Sequence, residues 1–211
     1  MNSAPIRTLA GLILLAASAG AARGATLTFD ELPAQPVHGL STQGVAFGFE
    51  VGGSPSADAT YNVDLGLGTT GVLEDSVLEG DALGLLTLSF AAPTPDVSFG
   101  LALLTVADLT PGAVVGLYDA GNVLLDSIAL NTLGNPGFGI SEGLFAYLGV
   151  PVSTVRIAFE GAAGRFALDN LTFTGAPGVI PEPGTAFVGV AAGAFVVSQL
   201  VRRSRRAAAA R

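Results

Sequence analysis

From Thr26 onward the chain is cut into short apolar or alternating runs by glycine, proline, asparagine and aspartate. Such punctuation leaves no room for a long amphipathic helix, and it predicts an all-β domain. In "VSTVRIAFE" every second side chain is apolar, so Val155, Ile157 and Phe159 face a core while Arg156, Ala158 and Glu160 face outward. The pattern predicts strands near 26–30, 44–51, 84–91, 96–106, 112–119, 122–129, 143–148, 153–160 and 165–173. "VVGLYDAGNVLLDSIAL" reads as a hairpin turning at Asp119–Asn122. The stretch from Gly52 to Asp81 reads as loops with short strands. Frequent alanine and glycine predict a core rich in small residues.

One strand carries a phase slip. In "RFALDNLTF", Phe166 and Leu168 share one phase and Leu171 and Phe173 the other. A bulge at Asp169–Asn170 lets both halves face one core and re-aims the Asp169 side chain. A loop between two short strands is the other reading.

Charge bounds the partners. Between Thr26 and Val179 there are two arginines, Arg156 and Arg165, against sixteen carboxylates, a net charge of −14. Such a domain repels nucleic acid. There is no cysteine, which removes disulfides and thiolate chemistry. The single histidine, His38, excludes a multi-histidine metal site. A Ser-His-Asp triad would need His38, and no G-x-S-x-G supports one. "LEDSVLEGDALG" gathers Glu74, Asp75, Glu79 and Asp81, which read as a solvated acidic loop; a paired-carboxylate hydrolase is the sharper alternative. "GLGTTG" lacks the lysine of a phosphate loop. "NLT" at Asn170 formally fits a glycosylation acceptor but falls in a strand. Tyr61, Tyr118, Tyr147, Phe138 and Phe145 are candidates for stacking on sugar rings, with core packing as the plainer role.

The two ends differ from the middle. Residues 1–25 read as a secretion signal: Arg7 in the positive region, an apolar run from Leu9 to about Ala17, then small residues. Cleavage after Ala25 would put Arg23 where a small residue is wanted, so a cut near Ala19 to Ala22 is preferred. Residues 176–183 form a linker containing Pro181, Glu182 and Pro183. Gly184 to Val201 is eighteen residues without a charge, roughly 27 Å as a helix, enough for a thin bilayer. Arg202, Arg203, Arg205 and Arg206, in the tail 202–211, stop transfer and hold that end in the cytoplasm. Each proline biases the residue before it, Ile180 or Glu182, to an extended form. The helix therefore starts after Pro183, and an extended peptide waits at the outer surface.

"IPEPGTAF", an apolar span and "RRSRR", in that order, resemble the PEP-CTERM sorting signal of Gram-negative bacteria, with Ile180 in place of the common Val. The resemblance implies recognition of Pro181, Glu182 and Pro183 by an exosortase, a precursor in the inner membrane, and a mature protein at the cell surface or in the extracellular polymer matrix. The middle, 26–175, resembles the domains often found ahead of such tails. "TLTFDELP" looks like their opening strand and "FALDNLTFTG" like their closing one. That resemblance implies a jelly-roll or galactose-binding-like β-sandwich, a structural or adhesive role without catalysis, and binding of exopolysaccharide as the alternative. It also implies a structural Ca²⁺ between first and last strands, for which Asp30, Glu31 and Asp169 are the candidates by position. Calcium takes six to eight oxygens, so three acids are part of a site only, and surface carboxylates at turns are the plainer reading.

Overall fold

The computed structural model describes residues 23–64, 71–74 and 76–175. The expected secretion signal through residue 22, Asp75, most of "GLGTTG", and the expected linker, span and arginine tail of 176–211 lie outside the described residues.

The described chain forms twelve strands and one short 3-10 turn, Gly161–Ala163. The strands are β1 (Arg23–Leu27), β2 (Gln35–Pro36), β3 (Ser41–Thr42), β4 (Val45–Val51), β5 (Ser54–Pro55) and β6 (Thr60–Asp64). They continue as β7 (Ser76–Asp81), β8 (Gly84–Leu103), β9 (Leu109–Tyr118), β10 (Leu124–Asn135), β11 (Ile140–Phe159) and β12 (Arg165–Gly175). Every pairing is antiparallel, in the order β10-β9-β11-β8-β12-β7-β6-β2, with β1 added to β12 and β4 to β8. The all-β expectation holds, and so does the hairpin between β9 and β10, where Asn122 takes a φ of 61°.

Two pairs of expected strands are each one long strand. β8 absorbs 84–91 and most of 96–106, and β11 absorbs 143–148 and 153–160. The ladder between them steps from Leu148↔Asp96 to Val152↔Thr94 to Thr154↔Ser89. Pro93, Pro95 and Pro151 sit in these steps. Each lacks an N–H and so breaks the ladder locally without ending the strand. Here both strands bend and the sheet folds over itself. Phe159, at the end of β11, therefore stacks on Phe166 of β12 with centroids 3.9 Å apart, and Phe49 of β4 reaches Phe166 at 5.9 Å.

The core between the two halves is built from large side chains. Phe29, Phe49, Phe99, Phe166, Phe173, Tyr61 and several leucines are fully buried. Burying each is worth about 1.5–3 kcal/mol. The expected small-residue core is thus corrected: glycines serve instead where something crosses closely. At Gly84 a Cβ would lie 2.1 Å from the Phe49 ring, and at Gly100 it would lie 2.2 Å from the Val72 carbonyl oxygen.

A second, smaller apolar cluster lies outside the main core: Leu73, Val77, Ala102, Ile140 and Ala167. It forms where residues 71–74 cross β8 at Gly100. The β12 bulge is present as the phase slip predicts. Asp169 pairs with Gly100 and Thr172 with Ser98, one residue too many for the partner, with Asn170 at φ 53°. Phe166, Leu168, Leu171 and Phe173 are all buried as a result.

Candidate functional site

The bulge aims Asp169 out of the main core and under the crossing segment. Its side chain is fully buried. Oδ2 accepts from the Glu74 N–H at 2.7 Å and from Asn170 Nδ2 at 3.1 Å, and Oδ1 accepts from the Asn170 N–H at 2.6 Å. Burial pushes its carboxyl above the ordinary range; these N–H donors pull against that, and the Glu74 and Glu31 charges add to it. Glu31 faces Tyr61, whose hydroxyl donates to Oε2 at 2.5 Å, while Oε1 accepts from the Thr28 N–H at 2.8 Å. Burial first, then Glu31 and Asp30, push the Tyr61 hydroxyl far above its usual value. Asp30 is exposed and accepts from the Thr28 hydroxyl at 2.7 Å.

Asp30, Glu31 and Asp169 therefore do not fit a calcium site. Among the described residues no three His, Cys, Asp or Glu side chains gather as metal ligands. The oxygens of Glu31 and Asp169 point at N–H and O–H donors that hold the fold together, where a cation wants oxygens converging on one point. The Asn170 amide of "NLT" is spent on Asp169 inside the bulge.

The expected acidic loop is in part a strand: Glu79 and Asp81 lie in β7, paired with Ala167 and Arg165 of β12. Arg165 Nε donates to Glu79 at 2.9 Å, Arg165 Nη1 lies 3.2 Å from Asp58, and the Asp81 N–H donates to Asp58 at 2.6 Å. Burial lowers the Arg165 pKa, but Glu79 and Asp58 outweigh it and hold the guanidinium above its ordinary value. His38 Nδ1 lies 2.8 Å from Phe49 O and 3.1 Å from Phe49 N, bonding backbone rather than a nucleophile.

The aromatic candidates separate cleanly. Tyr61 and Phe145 are buried in the core, where Phe145 stacks on Phe99. Tyr147 bonds the Val150 carbonyl, and Phe138 sits in the 136–139 turn. Tyr118 is different: it lies on the outward face of β9, leaning over Gly116, where an added Cβ would come within 3.0 Å of its ring. The Arg156 guanidinium lies over this ring, 4.5 Å from the centroid, and Nη2 donates to Asn122 Oδ1 at 2.8 Å. Arg156 has no carboxylate partner among the described residues, whereas Arg165 has two.

Strand register extends this pair into a face. One row reads Leu124, Tyr118, Thr154, Ser89, Ala46 and Ser41; the next reads Ser127, Gly116, Arg156, Thr87 and Gly48. Neither row holds a carboxylate. At about 4.8 Å per strand the face runs roughly 19 Å from β10 to β4. Beyond Ser89 and Ala46 it opens into a shallow groove of about 460 Å³ lined by Thr42, Gln43 and Gly44. Alternation alone marks Arg156 as outward, but nothing local marks Gly116, Asn122 and Tyr118 as its companions.

The fold and this face define a class: an all-β domain on one open antiparallel sheet folded over itself, with a flat polar face. No family model matches the chain, and no curated protein matches it. Among solved structures it is similar to the K2 cleaved adhesin domain of Lys-gingipain (13% identity, 72% of this chain, 99% of that one, TM-score 0.43). It is also similar to a family 29 carbohydrate-binding module, in a mutant complexed with mannohexaose (9% identity, 72% of this chain, 92% of that one, TM-score 0.34). A third is the enzymatically active domain of bacteriophage CBA120 tailspike protein 4 (12% identity, 62% of this chain, 19% of that one, TM-score 0.36). These likenesses are too slight to carry an argument about ligand or activity.

Proposed function

We propose that the chain is an exported, non-catalytic adhesive module of the cell surface or extracellular matrix. Its folded sheet is a jelly-roll-like β-sandwich, and its Tyr118–Arg156 face binds polysaccharide. The observation that carries this reading is the stacked ring and guanidinium on an open face of hydroxyls and glycines. A ring and a planar cation offer stacking surfaces for the C–H faces of a sugar. Arg156, Thr154, Ser89 and Thr87 supply partners for its hydroxyls. The domain's net charge of −14 disfavours polyanions, so a neutral polymer is the ligand class. Export and delivery rest on the sorting signal: an exosortase cuts near Pro181–Pro183 and frees the domain from the inner membrane.

Two experiments test the parts separately. Tyr118→Ala and Arg156→Ala should each weaken retention on a neutral glycan by about tenfold, a loss of ~1.4 kcal/mol, while the melting transition stays in place. No retention by the wild type on any glycan would overturn the binding reading. Deleting Pro181–Pro183 should leave the full-length precursor in the membrane, and unchanged processing would overturn the sorting reading.

A further inference from the structure

The end of the domain from which the chain leaves is poor in charge rather than free of it: Arg23 pairs with Gly175, Asp96 lies in the row there, and Asp119 follows Tyr118, the partner of Thr154 beside the bend. Leu148, Asp96, Thr174 and Gly24 stand in one row across β11, β8, β12 and β1. The Thr174 N–H donates to Asp96 Oδ1 at 2.9 Å, and Thr94 Oγ1 lies 3.3 Å from the same oxygen, so that carboxylate is occupied. β11 and β12 both run toward this end, two strand spacings apart, about 10 Å. Past the row, β12 reaches Gly175, its last residue, and β11 enters the bend. The bend comprises residues 91–95, Ala-Ala-Pro-Thr-Pro, and 148–152, Leu-Gly-Val-Pro-Val, with no charged side chain in either. Leu148 is 85% exposed and Val150 63%, and Pro93 and Pro151 are exposed beside them. The opposite end of the sheet carries Asp58, Glu79, Asp81, Glu160 and Arg165.

We infer that the apolar tip of this rim, Leu148, Val150, Pro93 and Pro151, rests on the lipid surface while the precursor is anchored. The inference rests on the proposed membrane-spanning tail. Eight residues, 176–183, separate Gly175 from the uncharged run, a reach of at most about 29 Å fully extended. The chain leaves next to the rim, so a short tether brings the rim to the bilayer before any other part of the domain. Leucine, valine and proline side chains lose nothing by entering the headgroup boundary, whereas carboxylates would be held off by desolvation. The charged end then points away from the membrane.

The absence of cysteine makes the test direct. Full-length chains carrying Leu148→Cys, Val150→Cys, Ser127→Cys or Ala191→Cys are labelled with a polarity-sensitive dye and reconstituted into phosphatidylethanolamine–phosphatidylglycerol vesicles containing a lipid-borne quencher. Labels at 148 and 150 should shift to the blue and be quenched, as should the label at 191, while the label at 127 stays water-like. A quenched label at 191 beside water-like labels at 148 and 150 overturns the rim contact and leaves the anchor standing. A water-like label at 191 overturns the anchor, and the rim contact with it. Shielding at 148 that grows with protein density and is blind to the quencher assigns the rim to a second copy and overturns the lipid contact.

Discussion

The Asp169 carboxylate accepts the backbone N–H of Glu74 at 2.7 Å across 95 positions of sequence. It clasps the 71–74 segment at Glu74 to the outside of the sheet, beside the apolar cluster of Leu73, Ala102 and Ala167. The closing strand needs its bulge to place this group, because an unbroken alternation would carry Leu171 and Phe173 to the outer face.

Removing the clasp has a definite cost. Asp169→Ala strips the Glu74 and Asn170 N–H groups of their acceptor, at about 1–3 kcal/mol each. A loss of about 3 kcal/mol in urea unfolding is expected, with faster hydrogen exchange at the Glu74 amide than at strand amides of β8. Unchanged exchange at Glu74 would contradict the clasp.

The same residue has a pH signature. Burial holds its folded pKa above the ordinary range, so the folded chain binds that proton more tightly than the unfolded chain. Its stabilising contribution is complete below the ordinary carboxylate range and declines as pH rises through the folded value. Asp169→Asn removes that decline. The stability difference between wild type and Asp169→Asn should therefore favour the wild type most in acid and least at neutral pH.

Gly100 tests the crossing from the other side. A methyl group there meets the Val72 carbonyl oxygen at 2.2 Å, a backbone atom that cannot rotate away. Gly100→Ala should cost about 2 kcal/mol and lower Tm by roughly 4–8 °C. Gly24→Ala, with open space around it, should change Tm by no more than a degree or two.

Gly116 tests the proposed binding face without touching its chemistry. An alanine Cβ comes within 3.0 Å of the Tyr118 ring and tilts it off the sheet. Gly116→Ala should lower glycan retention nearly as far as Tyr118→Ala does, while the thermal transition moves little. Full retention in Gly116→Ala would show that the lie of the ring is irrelevant.

If residues 1–25 hold the proposed export leader, the strand pairing limits where it is cut. Arg23, Gly24 and Ala25 pair with Gly175, Thr174 and Phe173. Removal of the leader after Ala25 would take three residues out of β1. Mass spectrometry of the mature protein should find its first residue at or before Arg23; a start at Thr26 would show that this pairing is dispensable.

The legible part of this fold was the part written in short range. Alternation placed β4, β9 and the end of β11, the hairpin at Asp119–Asn122 came from its turn residues, and the phase slip at Asp169–Asn170 located the bulge. The bends were misread as strand ends because Pro93, Pro95 and Pro151 are breakers in isolation; only the partner strand shows that the chain continues through them. Asp30, Glu31 and Asp169 are candidates only through the resemblance, by their position near the first and last strands, and no local signal records that the Glu74 N–H bonds Asp169 and the Tyr61 hydroxyl bonds Glu31. The Tyr118–Arg156 pair joins residues 38 positions apart, a proximity set by register alone.

Arg23 and Gly175 stand opposite each other in a single strand pair. A unit whose two ends meet makes no demand on the spacing of whatever it is attached to. It should tolerate circular permutation, its old ends spliced and new ones opened in the 119–123 turn, and it could be grafted as a pendant into a surface loop of an unrelated host without stretching either partner.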